Sequence, residues 1–122
     1  MTNLRKKGML GERWAASELE KIGYQIIQRN YWTQYGEIDI IARKDDLLLF
    51  VEVKTRFSER FGHPEISVSA RKRKHMIESI AAFLQEQYAD WQGEIRIDVA
   101  SIRFDPNKKE PQIEWFENAI YE

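Results

Sequence analysis

One run in this chain reads Leu47-Leu48-Leu49-Phe50-Val51-Glu52-Val53-Lys54. Near-continuous apolarity marks a strand buried on both faces, yet a carboxylate and an ammonium stand close to its end. Alternation puts Glu52 and Lys54 on one face with Leu48 and Phe50. Burying either charge is costly unless it meets a partner or a metal. The preceding run, Gly36-Glu37-Ile38-Asp39-Ile40-Ile41-Ala42, is strand-like as well. If Asp45-Asp46 forms a two-residue hairpin loop, Lys44 faces Leu47, Asp39 falls across from Glu52, and Glu37 falls across from Lys54. A four-residue loop on the same dipeptide keeps that register; an odd-length loop or a bulge breaks it. Directly opposed residues hold their Cβ atoms about 5 Å apart. Two carboxylates so placed repel each other, and a divalent cation relieves the repulsion.

A third carboxylate comes from the first helix. At about 100° per residue, Met9, Ala15, Ala16, Leu19 and Ile22 gather on one side, with Glu12 in the middle of the stripe. Leu10, Trp14 and Lys21 fall opposite, and Trp14 beside Leu10 could form an exposed patch that pairs with a second subunit. The plainer reading of Glu12 is an ion-paired residue near a helix start, where the dipole favours negative charge. Glu52 or Glu37 could likewise simply pair with Lys54.

With no cysteine and only His63 and His75, the donor set is oxygen, which points to Mg²⁺ or Mn²⁺ and disfavours zinc. A lysine beside such a cation could orient or deprotonate an attacking water, or stabilise charge in the transition state. Metal-assisted phosphodiester hydrolysis uses all of these groups.

The elements that must position them follow from pattern. A helix is expected over 8–22, stopped by Gly23 at C′. Strands are expected over Tyr24 to Trp32, with a bend at Asn30, then over Gly36 to Arg43 and Leu47 to Thr55. A loop holding Gly62 and Pro64 leads to a second helix capped by Ser67 or Ser69 and running to about Tyr88, with Ile77, Ile80, Ala81, Leu84 and Tyr88 at helical spacing. Ile95, Ile97 and Val99 alternate in a fourth strand, and a fifth lies near Gln112 to Phe116. Arg96 and Asp98 share a face and should pair. The order predicts an α/β three-layer domain, one domain over 1–122, with no repeat or linker.

The formal net charge is −1 over 122 residues, which argues superficially against a polyanionic partner. Resolved along the chain, residues 1–32 carry +3, 33–52 carry −3, 53–75 carry +5 and 76–122 carry −6. An acidic block between basic ones suits a metal-dependent enzyme acting on a polyanion, and many soluble proteins also show such blocks by chance. No apolar run approaches the roughly 20 residues a membrane span needs. After Arg5-Lys6-Lys7 no apolar signal-peptide core develops, so a cytoplasmic protein with no membrane association is expected.

Gly36-Glu37-Ile38-Asp39 followed by Val51-Glu52-Val53-Lys54 resembles the D…(D/E)xK signature of the restriction-endonuclease-like (PD-(D/E)xK) nucleases. Nearly the whole chain is similar to the small bacterial YraN-type family, whose relatives include archaeal Holliday-junction resolvases. The likeness runs through Gly11-Glu12 with Ala15, Gly23-Tyr24, Arg29-Asn30, GEIDIIA, FVEVKTR and Asn118-Ala119. It implies a restriction-endonuclease-like α/β/α domain with a central mixed five-stranded sheet. It also implies Asp39 and Glu52 as metal ligands, Lys54 as the catalytic lysine, and Glu12 acting on the metal through water. The proline that often precedes the first aspartate is Ile38 here, as is common in the resolvase-like branch. Resolvases of this type act as dimers, so a homodimer is left open.

Arg71-Lys72-Arg73-Lys74 opens the second helix, where four cations oppose the macrodipole and repel one another. A phosphate backbone explains them better than helix stability does; a solvated basic face is the competing reading. Arg56 and Arg60 extend the basic surface, and Phe57 and Phe61 could stack on bases or be buried under their loop. Nothing here reads base sequence, so selection by DNA structure is expected. The leading expectation is a Mg²⁺- or Mn²⁺-dependent endonuclease acting on structured or branched DNA. The alternatives are a non-catalytic nucleic-acid-binding module with the same fold, and a structural protein whose carboxylates only pair with Lys54.

Overall fold

In the computed structural model the described residues are 3–57 and 68–120, with side chains considered from Gly8 onward. Helix α1 (Asn3–Lys21) precedes strands β1 (Gln25–Thr33), β2 (Gly36–Lys44) and β3 (Leu47–Phe57), then α2 (Ala70–Gln87), β4 (Glu94–Phe104) and β5 (Gln112–Phe116). The strands form one mixed sheet in the order β1-β2-β3-β4-β5. Among the described strands β3 and β4 alone run parallel, joined by the crossover that contains α2. An α/β architecture of this kind, a five-stranded mixed sheet flanked by two helices, is consistent with a restriction-endonuclease-like fold.

Because β3 is central, it is covered on both faces. Leu48 and Phe50 join Tyr31, Met76, Ile80, Phe83, Ile97 and Val99 in the core beneath α2. Leu49 and Val51 join Ala15, Ala16, Leu19, Ile40, Ala42, Ala100 and Ile102 beneath α1. The edge-on contacts of Phe83 with Tyr31 and Phe50 fill the first layer. In α1 the inward stripe is shorter than its pattern predicts. Ala15, Ala16 and Leu19 are buried, but Met9 and Ile22 are 45% and 60% exposed, so the stripe from Met9 to Ile22 reaches the sheet in its middle and not at those two positions. Trp14 packs against the α1-side core, so it does not form the exposed patch expected of it. In α2 the burial has shifted by about one residue from the expected set: Met76, Ser79, Ile80 and Phe83 are buried, and Ala81 is exposed.

The turns behave as their residues dictate. Gly23 takes φ 99 just past α1, which an L side chain resists. Asp45, at φ 52, closes a two-residue β2–β3 hairpin with Lys44 paired to Leu47, the register the sequence predicts. Ser69 caps α2 by accepting the Lys72 N–H at 3.1 Å. Asp98 in β4 is fully buried and accepts four bonds: from Arg96 Nε and Nη2, from the Trp115 indole, and from the Asn118 backbone. That network ties β4, β5 and the following turn together. The expected Arg96–Asp98 pair is therefore present and its setting is structural. Among the described residues, no helix is long and apolar enough to cross a membrane.

Candidate functional site

Three elements each carry a buried carboxylate, Glu12 from α1, Asp39 from β2 and Glu52 from β3, each 8% exposed, and the charges of Glu12 and Glu52 both act on Asp39. Glu12 can lie this deep because Gly11 precedes it. A Cβ on Gly11 would overlap Thr55 Oγ1 and sit 3.1 Å from both other Thr55 side-chain atoms, so only glycine lets α1 touch β3 here. Asp39 interrupts β2. The β2–β3 pairing runs from Lys44–Leu47 to Ile40–Val51, and at the next step the Asp39 carboxylate itself accepts the Val53 N–H at 2.7 Å. Alternation breaks at the same point: Ile38 packs under α2 and Ile40 under α1. The predicted register thus holds from Lys44–Leu47 to Ile40–Val51 and stops one step short of an Asp39–Glu52 pair, because the Asp39 side chain takes the place of a ladder acceptor.

Asn30 bridges the cluster. Its amide donates to Glu12 Oε1 at 2.7 Å and to Glu37 Oε2 at 2.9 Å, from a backbone turned to φ 53 within β1. Asparagine tolerates that left-handed conformation, which accounts for the bend expected there. Arg29 adds a cation, its Nη2 3.7 Å from Glu12 Oε1 and donating to the Met9 carbonyl at 3.4 Å. The Arg29 Nε is buried without a hydrogen bond. On the other side, Lys72 of α2 places Nζ 3.1 Å from Glu52 Oε1, while Glu52 Oε2 is buried with no hydrogen-bond partner.

The electrostatics follow from burial and crowding. Asp39 is pushed up to about 8, chiefly by burial and then by the Glu52 charge, with Glu12 and Glu37 adding to the rise and the Val53 N–H opposing it. Glu12 is also raised, again chiefly by burial; the Asn30 amide and Arg29 counteract, and Glu37 and Glu52 reinforce. Such a group of acids favours either protons or a shared cation.

The other sequence-predicted residues distribute around this centre. Lys54 follows Glu52 on the same face of β3 and is half-buried. Arg56 is half-buried two residues further along β3. Arg71, Arg73 and Lys74 are exposed on the first turns of α2, whereas Lys72 turns to Glu52. Arg60, Phe61 and His63 lie outside the described residues. Phe57 stacks on Phe104 at 4.8 Å between centroids, which occupies one face of its ring. Sequence reasoning did not assign site positions to Asn30, Arg29 or the Val53 N–H. An asparagine bending a strand beside an arginine was the available signal for the first two; the third is a backbone group with no signature.

Oxygen donors of this kind suit a hard divalent cation. Among the described residues no three of His, Asp and Glu enclose a metal on their own. Mg²⁺ asks for less, since it is held by one or two carboxylates with waters and substrate phosphate completing its shell. Asp39 and Glu52 are the buried carboxylates that could do so, and Glu52 Oε2 has no hydrogen-bond partner.

A family model described as "Uncharacterised protein family UPF0102" matches residues 11–102. The chain belongs to this family. It is 43% identical over 104 residues to a UPF0102 protein of Syntrophomonas wolfei, covering 85% of this chain and 90% of that one. A UPF0102 protein of Dictyoglomus turgidum is 38% identical over 118 residues, covering 97% of this chain and 99% of that one. The family match begins at Gly11 and takes in Glu12, Asp39, Glu52 and Lys54. Among solved structures, Pyrococcus furiosus SfsA in complex with Ca²⁺ is similar at TM-score 0.40 and 19% identity; the likeness covers 93% of this chain and 63% of that one.

Proposed function

We propose that this protein is a Mg²⁺- or Mn²⁺-dependent endonuclease of the restriction-endonuclease-like superfamily that cuts structured or branched DNA. The observation that carries the reading is a Glu52 oxygen buried with no hydrogen-bond partner, next to a buried Asp39 whose pKa burial and the Glu52 and Glu12 charges push up. A fold gains nothing in stability from three crowded buried acids, so a cation that unites them is the economical explanation.

In this reading Asp39 and Glu52 hold the cation, which when bound polarises the scissile phosphate and lowers the pKa of a coordinated water. The Val53 N–H fixes the Asp39 carboxylate through Oδ2. Glu12, held by Asn30, orients water at the edge of the site and accepts a proton from it. Lys54 stabilises the charge that builds on the phosphorus oxygens while the incoming water oxygen bonds to phosphorus and the bond to the leaving oxygen breaks, that oxygen taking a proton from solvent. Exposed Arg71, Arg73 and Lys74, with Arg56, bind backbone phosphates. Most of these contacts read charge and shape, which favours selection by DNA structure over base sequence.

The test is a cleavage panel of branched, flapped and linear DNA with Mg²⁺ or Mn²⁺. Metal-dependent cutting of the branched or flapped substrates, abolished in Lys54→Ala, is expected. No cutting of any substrate, or equal cutting by Lys54→Ala, rejects the proposal and leaves the non-catalytic binding module.

A further inference from the structure

We infer that Lys72 is an exchangeable cation of this site: it holds Glu52 while no metal is bound, yields that carboxylate to a divalent cation, and then binds a phosphate oxygen of the nucleic-acid substrate. The inference rests on the nuclease reading above and adds to it a residue from α2.

The ion pair is poorly built for permanence. Lys72 is half exposed, the Glu52 side chain is 11% exposed, and Lys72 engages Oε1 at 3.1 Å while Oε2 accepts no hydrogen bond among the described residues. A buried carboxylate held for stability alone has its lone pairs satisfied on both oxygens, whereas Oε2 here has none satisfied. A lysine on a flexible four-carbon stem is a point charge without the bidentate fork that locks an arginine to a carboxylate. It can leave at little cost.

The position of Lys72 in its own helix leads to the same conclusion. It is the third residue of α2, with its N–H on the Ser69 cap. That position favours an acid, both for the macrodipole and for a reciprocal capping box. Instead α2 has no acid in its first turn, and Arg71, Arg73 and Lys74 flank the lysine. An anion facing this turn offsets the cost. Glu52 is such an anion now, and a phosphate is one when Glu52 is shared with a metal. A dication on Glu52 repels the ammonium beside it. The half-exposed stem then carries Nζ toward the negative charge that accompanies the metal into the site, which is the substrate phosphate. Lys72 thereby links metal occupancy to substrate binding.

The test compares wild type, Lys72→Met, Lys72→Gln, Lys72→Arg and the triple variant Arg71→Ala/Arg73→Ala/Lys74→Ala. Mn²⁺ affinity is measured by calorimetry, and single-turnover cleavage of a branched DNA at saturating Mn²⁺. Methionine keeps the aliphatic stem, and thermal unfolding of each variant in Mn²⁺ checks that it is folded. Removing a competing half-exposed ion pair should tighten Mn²⁺ binding by about three- to tenfold in Lys72→Met and Lys72→Gln. Cleavage should slow by on the order of tenfold or more, with Lys72→Arg recovering much of the rate. The triple variant should bind Mn²⁺ like wild type and lose DNA affinity with a shallower salt dependence. Unchanged or weaker Mn²⁺ binding in Lys72→Met and Lys72→Gln, or cleavage as fast as wild type, overturns the inference while the nuclease reading stands. If wild type itself binds no Mn²⁺, both fall together.

Discussion

Replacing Asp39 by asparagine should make the metal-free protein more stable at alkaline pH. Asp39 is 8% exposed and pushed up to about 8 by burial and by Glu52, against about 3.9 in an unfolded chain. A folded-state pKa above the unfolded one means the folded protein holds a proton that the unfolded chain has released. The associated stability is complete below about pH 4 and is lost as pH rises toward 8. At most about 1.4 kcal/mol disappears per pH unit for one such group. The substituted asparagine retains an oxygen for the Val53 N–H, has no charge to set against Glu52, Glu12 and Glu37, and does not titrate. Discounting for relaxation of the folded protein around the charge, the gain at pH 8 should be on the order of 2–4 kcal/mol. For a domain of this size that corresponds to roughly 10 °C in Tm. The assay is thermal unfolding by circular dichroism in chelator from pH 4.5 to 8.5. Wild type should lose stability across that range, and Asp39→Asn should lose less and exceed it at pH 8. Added Mn²⁺ should then stabilise wild type selectively. Asp39→Asn no more stable than wild type at pH 8, or a difference independent of pH, would refute the reasoning.

Gly11→Ala, normally favourable inside a helix, should here cost about 1–3 kcal/mol in urea unfolding, because its Cβ would collide with Thr55; Thr55→Ala in the same chain should recover part of the loss. Asp98→Ala should cost about 3–5 kcal/mol by removing the fully buried acceptor of four hydrogen bonds. Its denaturation curve should show this, together with a change in the emission of Trp115, whose indole N–H loses its acceptor.

The architecture was legible where pattern is strong. Strand β3 announces itself by five consecutive apolar residues, and the Asp45-Asp46 turn by composition, so the Lys44–Leu47 register of the β2–β3 hairpin was legible. Helix α1 was readable in its middle but not at its ends, since periodicity shows which residues share a side and not how far the sheet extends beneath them; Met9 and Ile22 are exposed for that reason. Trp14 went the same way: a helical wheel cannot show that a large side chain bends back against the core. Within the site, charged residues at core positions were conspicuous because burial makes them expensive. Asn30 and the Val53 N–H were not, since their roles depend on a local break in the β1–β2–β3 ladders. Lys72 illustrates a different limit. It looks like its three basic neighbours in sequence, and only the seating of α2 against β3 separates it from them.

Titration of Mn²⁺ into wild type and into an Asp39→Ala/Glu52→Ala variant, followed by calorimetry, tests most directly whether the buried acids form a metal site. Saturable heat in wild type that vanishes in the double variant is the predicted result. Equal heats from the two proteins would contradict it.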